Sequence, residues 1–166
     1  TLAVTTSAPV SANGSLGNSG STVQIGDSGT AAADNLGLLI GNATGGLSVD
    51  RTISVNNFNT TGSTTLGGTN TSGTNAFNGN IGLGRDTTLV AATGGTVNFN
   101  GALSGTAGVT VGTADNTGTV VLSGSNSLTG AATVAYGTLV AANSNALGTT
   151  AGATTVNSGA TLGLPG

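Results

Sequence analysis

Apolar and polar residues alternate along this 166-residue chain in short runs, separated by glycine, asparagine and serine. Thr-Val-Asn-Phe at residues 96–99 and Thr-Val-Val-Leu at residues 119–122 place an apolar side chain at every second position. A period of two is typical of a β-strand with one buried face. The period of an amphipathic helix is not seen, so the pattern predicts an all-β protein of many short strands.

The strand patterns repeat at a fixed distance. Residues 95–101 (Gly-Thr-Val-Asn-Phe-Asn-Gly) match residues 118–124 (Gly-Thr-Val-Val-Leu-Ser-Gly) at an offset of 23. The same offset brings residues 109–111 onto 132–134, and a further step of 22 brings residues 133–134 onto 155–156. Repeats of this length, each holding two or three short strands, are typical of the coils of a β-solenoid.

The repeat predicts a parallel β-helix of about seven coils of about 22–23 residues, with stacked coils over residues 21–164 and residues 1–166 as a single solenoid segment. A leucine-rich repeat has a similar period, but its Leu-x-x-Leu-x-Leu frame and fixed asparagine are absent. A β-sandwich is disfavoured because its core is usually rich in aromatic residues, and this chain has three Phe and one Tyr. Asparagine and threonine of successive coils are expected to form hydrogen-bonded ladders.

The core is expected to be a column of aliphatic side chains with few rings. The three phenylalanines follow one another at offsets of 19 and 22, close to one coil each, and are interpreted as one inward stack. An exposed aromatic strip that contacts carbohydrate is the alternative interpretation. The predicted core ladder consists of Phe58, Phe77, Phe99, Val97, Val120, Leu122, Val134, Leu139, Val156 and Leu162.

Composition narrows the possible partners. Charged residues make up 4% of the chain, and two arginines provide no basic surface for nucleic acid or anionic lipid. The longest apolar stretches are far shorter than the ~20 residues that cross a bilayer, so no membrane insertion by this segment is expected. There is no cysteine, which excludes a disulfide framework and is compatible with export.

Residues 118–164 carry a longer motif: Gly-Thr-Val-Val-Leu-Ser-Gly-Ser-Asn-Ser-Leu-Thr-Gly, followed by Thr-Val-Ala-Tyr-Gly-Thr-Leu. This resembles the autotransporter-associated β-strand repeat of bacterial surface proteins, with Leu128 where that family often has tyrosine. Residues 36–112 resemble it more loosely. The resemblance implies a right-handed parallel β-helix, export across the bacterial envelope and an extracellular or cell-surface location. It brings no catalytic residues.

The chain offers little for chemistry, and no catalytic, cofactor-binding or metal-binding residues are predicted. Histidine, cysteine, glutamate and lysine are all absent, which removes the usual bases and zinc ligands. Asp27 precedes Asp50 at an offset of 23 and Asp34 at an offset of 7, spacings that would suit paired carboxylates on a β-helix. The preferred interpretation is a corner aspartate at Asp27 and local ion pairs in Asp50-Arg51 and in residues 85–86. A calcium site is the other alternative, but the Gly-Gly-x-Gly-x-Asp repeat is missing.

The sequence therefore predicts a structural stalk or filament segment of a secreted, adhesin-type bacterial protein. Neither end resembles a polar capping repeat, so we expect one unit of a longer array, with head-to-tail copies of itself or neighbouring repeats as partners. Alternatives are a binding module for glycan, ice or a host surface, and a carbohydrate-active enzyme. Ice binding is disfavoured because Thr-x-Thr, found at residues 69–71 and 117–119, does not recur coil by coil.

Overall fold

A computed structural model describes residues 1–12, 14–17, 20–58 and 61–164. Within these ranges the chain forms eighteen short β-strands and no helix, and the strands belong to three parallel sheets. No described helix has the length and apolar character needed to cross a membrane. The prediction of an all-β parallel solenoid is confirmed.

The three sheets, named A, B and C, form the sides of the solenoid, and the chain visits them in that order from the second to the fifth coil; among the described strands the first coil has none in sheet B and the last two have none in sheet C. Sheet A consists of β1 (Leu2–Val4), β3 (Leu36–Ile40), β6 (Thr64–Gly68), β9 (Thr87–Ala91), β12 (Val109–Val111), β15 (Ala132–Val134) and β17 (Thr154–Val156). Sheet B consists of β4 (Ser48–Val49), β7 (Thr74–Phe77), β10 (Thr96–Phe99), β13 (Thr119–Leu122), β16 (Thr138–Ala141) and β18 (Thr161–Gly163). Sheet C consists of β2 (Val23–Ile25), β5 (Ile53–Val55), β8 (Ile81–Leu83), β11 (Leu103–Gly105) and β14 (Ser127–Leu128).

Register along each sheet follows the repeat found in the sequence. Val97 pairs with Val120, and Val111 pairs with Val134, both at the predicted offset of 23. Side chains alternate between buried and outward positions in most strands, as in the buried–intermediate–buried pattern of β5, β8, β12 and β15. A single core of aliphatic residues with two phenylalanines therefore runs along the axis.

Coil length is not uniform. Leu2 pairs with Leu38 at an offset of 36, and Leu38 pairs with Leu66 at an offset of 28. From Leu66 onward, the offset between paired strands of sheet A is 22 or 23, as predicted. The seven strands of sheet A give the predicted seven coils, but the first two coils carry extra residues at their corners.

Candidate functional site

The predicted core ladder is divided between the interior and the surface. Val156 pairs with Val134 in the inward column of sheet A but is 43% exposed, because it belongs to the last coil. Leu162 is half-buried for the same reason. The remaining aliphatic members and two of the phenylalanines are buried, namely Phe77, Phe99, Val97, Val120, Leu122, Val134 and Leu139.

Phe58 is placed differently from the prediction. It is 51% exposed, so the interpretation of three stacked rings is wrong for this residue. The partner of Phe77 in the preceding coil is Val49 and not Phe58, because that coil is longer than the regular repeat. The extra residues of the second coil lie between β5 and β6, and they carry Phe58 outside the repeat.

Polar ladders form at the corners, as predicted. Asn78 donates from Nδ2 to Oδ1 of Asp50 at 2.6 Å, and Asn100 donates to Oδ1 of Asn78 at 2.8 Å. The hydroxyl groups of Thr93 and Thr117 lie 2.9 Å apart at another corner. These ladders link successive coils through exposed side chains.

A buried asparagine cluster was not predicted. Asn70 and Asn75 are fully buried, and Asn75 donates to the side-chain oxygens of Asn70 (3.0 Å) and Asn42 (2.7 Å). Asn70 donates in turn to the carbonyl oxygens of Ser72, at 3.1 Å, and of Gly73, at 3.0 Å. The cluster satisfies backbone groups where sheets A and B meet, which is what a buried amide must do to be tolerated. Asparagine is too common in this chain for the sequence to single these positions out.

Outward threonines form two ranks, each one residue wide and five coils long. The members of each rank are paired in register from strand to strand. The rank on sheet A consists of Thr65, Thr88, Thr110, Thr133 and Thr155. The rank on sheet B consists of Thr74, Thr96, Thr119, Thr138 and Thr161. A search for Thr-x-Thr misses these ranks because each strand contributes only one threonine to its rank. The sequence does carry a signal for them, which is the recurrence of threonine at the repeat offset over most of each rank.

The carboxylates are held in structural positions. Asp27 accepts hydrogen bonds from Gly29 N (2.9 Å) and from the Thr30 hydroxyl (3.2 Å), which makes it a local turn residue, as predicted. Asp86 accepts from Gly108 N at 2.7 Å in the following coil. Asp27 follows a strand of sheet C and Asp50 follows a strand of sheet B, so their spacing in the sequence does not stack them. Among the described residues, no group of three or more potential metal-ligating side chains comes together.

Arg51 holds the N-terminal end of the solenoid. Its guanidinium is buried and donates from Nε to the carbonyl oxygen of Ser21 (3.0 Å) and from Nη1 to that of Leu16 (3.1 Å). Asp50 accepts from Asn78 instead, so the predicted Asp50–Arg51 ion pair is wrong. Arginine suits this place because its fixed fork of donors reaches two carbonyl groups at once.

The segment that Arg51 holds covers the first coil. Leu16 packs against the core, and Ser15 accepts a hydrogen bond from Thr6 N (3.0 Å) and donates to Thr6 O (2.8 Å). Val4 and Ala8, inward residues of the first coil, are buried to 1% and 0% exposure, whereas Leu2, which pairs with the buried Leu38, is 53% exposed. We call residues 14–17 the N-terminal cover; they lie against the first coil, but β1 remains terminal in sheet A with no paired strand on its outer side among the described residues.

The C-terminal end is open within the described part of the chain. Val156, in the inward column of sheet A, is 43% exposed, and Leu164, which directly follows β18, is 69% exposed. β17 and β18 are terminal in their sheets and have unpaired edges among the described strands. A cavity of about 380 Å³ lies between Ala141, Leu147 and Leu164, beside the last strand of sheet B. Both ends therefore leave an inward residue of sheet A partly exposed, Leu2 in the first coil and Val156 in the last.

No protein-family model, no curated protein and no solved structure matches the chain.

Proposed function

We propose that this chain is a structural stalk or filament segment of a secreted, adhesin-type bacterial surface protein. The observation that carries the proposal is the in-register stacking of seven coils along one axis, with outer ranks of threonine on sheets A and B and mostly of serine on sheet C. Such faces are small, uncharged and uniform, as expected of a rod that spans distance. At about 4.8 Å per coil, seven coils extend roughly 34 Å.

The rod is extended at its C-terminal end by another coil of the same kind. The free edges of β17 and β18 supply unpaired backbone groups for parallel strand pairing, and Val156 and Leu164 supply apolar contacts. The opposite end also offers an unpaired edge, that of β1, beside the exposed Leu2, so coils can be added at either end. The added coil comes either from a longer chain or from a second copy.

A location outside the cell is supported by the absence of cysteine, the very low charge and the resemblance to autotransporter-associated repeats. The same features support neighbouring coils as the partners of this chain and disfavour nucleic acid and membrane as partners. The aspartates stabilise corners, and we propose that the chain is not an enzyme.

Electron microscopy of the native surface protein tests the proposal. We expect a thin, unbranched rod into which these coils fit, with the C-terminal coil continued by another coil. Mass spectrometry under denaturing conditions separates the two sources. A chain far longer than 166 residues indicates covalent neighbours, and a 166-residue chain in a long rod indicates stacked copies. A compact particle, or a folded cap over β17 and β18, would contradict the proposal.

The second candidate is a binding module, favoured by the two threonine ranks. Each rank repeats a hydroxyl and a methyl group at the inter-strand distance of about 4.8 Å, a regular array that suits an ordered surface such as ice. An ice-recrystallisation assay distinguishes the candidates. Inhibition by the parent chain that disappears in Thr110→Val would establish ice binding. If the parent chain does not inhibit recrystallisation, the stalk remains the proposed function.

A further inference from the structure

One inward column of sheet A runs the whole length of the solenoid and is exposed only at its two ends. Leu2 begins the column and Val156 ends it, and each member pairs directly with the next. The column consists of Leu2, Leu38, Leu66, Leu89, Val111, Val134 and Val156. Its inner members are at most 1% exposed, whereas Leu2 is 53% and Val156 is 43% exposed. Each end therefore lacks the apolar neighbour that every other coil of the column has.

The outward rank of sheet A also begins and ends with the same residue type. Thr1 lies against Gly37, since a Cβ at Gly37 would be 3.2 Å from the Thr1 side chain and 3.2 Å from the Thr65 carbonyl oxygen. Gly37 pairs with Thr65, so the threonine rank that ends at Thr155 starts at Thr1 and is interrupted at Gly37. The terminal strands β1 and β17 each span three residues. The two ends of sheet A therefore match each other in length, inward residue type and outward residue type.

We propose that a second copy of this chain docks tail to head, with its β1 paired in parallel with β17 so that its Leu2 packs on Val156. This contact rests on the stalk function, for which it supplies the neighbouring unit. It repeats the pairing found between all adjacent strands of sheet A, and it removes two exposed apolar side chains from water. Neither strand carries a charged side chain that would be buried. A heterologous contact of this kind does not close, so it continues along the rod axis.

The N-terminal cover limits this contact to sheet A until the cover moves. Ala8 bridges β4 at the outer edge of sheet B, and yet it is 0% exposed. Gly14 lies against it, because a Cβ at Gly14 would be 2.4 Å from the Ser7 carbonyl oxygen and 3.1 Å from the Ala8 Cα. In a continued stack this place belongs to β18 of the other copy, which is outermost at the opposite end of sheet B. The hydrogen bonds of Arg51 and Ser15 hold the cover there, so they oppose full docking.

Engineered cysteines test the register, because the chain has no cysteine of its own. Ala3 follows Leu2 and Asn157 follows Val156, and both are exposed, so the proposed pairing places them opposite each other. Paired strands lie about 4.8 Å apart, within the Cα separation of about 4.4–6.8 Å that a disulfide spans. Ala3→Cys and Asn157→Cys chains are mixed and oxidised at concentrations where the sedimentation coefficient rises. We expect a disulfide-linked dimer on non-reducing electrophoresis.

The matched control replaces Ala3→Cys with Thr5→Cys in the same mixture. Thr5 lies on the same outer side as Ala3, since both side chains approach Gly41. It is two residues further along the chain, about 6.6 Å in an extended strand, which places it beyond disulfide reach of Asn157. The control mixture, and each variant oxidised alone, should form dimer at least about tenfold more slowly than the matched pair. Equal rates in the two mixtures, or no dimer in the first, would overturn the proposal.

The cover is tested in the same assay by adding Ser15→Ala or Arg51→Ala to the Ala3→Cys chain. Each change removes hydrogen bonds that hold the cover, so dimer should form faster, by about tenfold for Arg51→Ala. Ser11→Ala is the control, because this exposed hydroxyl makes no hydrogen bond within the described part of the chain. Unchanged rates in both test variants would overturn the role of the cover.

The contact and the stalk fail in different ways. A continuous rod with covalent neighbours, together with no cross-link between copies, would overturn the contact and leave the stalk. A compact particle in electron microscopy would overturn the stalk and, with it, the contact.

Discussion

Phe77 and Phe99 stack in adjacent coils with their ring centroids 4.9 Å apart and their planes within 3° of parallel. Both rings are fully buried, and the residues are directly paired across β7 and β10. The ring separation therefore matches the inter-strand distance of about 4.8 Å, and the two rings pack face to face inside the core.

The stack predicts a large stability difference between two phenylalanines. Phe99→Ala should lower the free energy of unfolding by about 3–5 kcal/mol, because it removes a buried ring and leaves a cavity. Phe58→Ala should change it by less than about 0.5 kcal/mol, as is usual at exposed positions. Urea denaturation followed by circular dichroism measures both. Equal losses in the two variants would show that the stack does not dominate the core.

The sequence predicts this core where coils are regular. The offset of 23 residues that identifies the repeat is the separation of the paired residues Val97 and Val120. Where every coil has this length, an inward residue of one coil pairs with an inward residue of the next. Phe58 fails the same argument because the second coil carries extra residues between β5 and β6. An insertion at a corner changes the offset without changing the strand pattern. The number of residues between two positions then no longer indicates whether they pair in adjacent coils.

Arg51 illustrates a different limit. In the sequence it adjoins Asp50, and opposite charges on neighbouring residues indicate a local pair. Its actual acceptors are the carbonyl oxygens of Ser21 and Leu16, which are distant from it in the sequence. Backbone carbonyls are present at every position and give no sequence signal, so the N-terminal cover could not be predicted.

The buried asparagine cluster predicts that a near-isosteric change will be costly. Asn70→Asp should destabilise the protein more than Asn70→Ala at neutral pH, because a carboxylate cannot donate to the carbonyl oxygens of Ser72 and Gly73 and would bury an unpaired charge. Asn70→Ala should cost about 1–3 kcal/mol from the groups left unsatisfied. Thermal unfolding of both variants checks the order. Asn100→Asp, at an exposed ladder position, serves as the control and should cost far less.

The Arg51 contacts predict a local effect at one end. Arg51→Ala should release the N-terminal cover and speed amide hydrogen exchange in residues 2–8 while leaving residues 96–141 protected. The lost charge-assisted hydrogen bonds are worth about 1.5–3 kcal/mol. Arg51→Lys should speed exchange in residues 2–8 less than Arg51→Ala does, because an ammonium group keeps the charge but lacks the planar fork of donors. Exchange that rises equally in all coils would mean that Arg51 stabilises the whole solenoid and not its end.

The open C-terminal end predicts self-association that one charge will prevent. Val156 ends the inward column of sheet A, and the edge of β17 beside it is unpaired among the described strands. With a formal net charge of −3 over 166 residues, little repulsion opposes contact between copies. We expect the sedimentation coefficient of the chain to rise with concentration, and Val156→Lys to hold it at the monomer value.

The effect of Val156→Lys should depend on where the charge is placed. A lysine at a free edge requires any incoming strand to bury its charge, which is how natural sheets protect such edges. Because Val156 is already 43% exposed, the fold itself should tolerate the change. Phe58→Lys adds the same charge at an exposed position between β5 and β6, far from the last coil, and should leave association intact. Equal inhibition by the two variants would mean that net charge, and not the end of the solenoid, controls association.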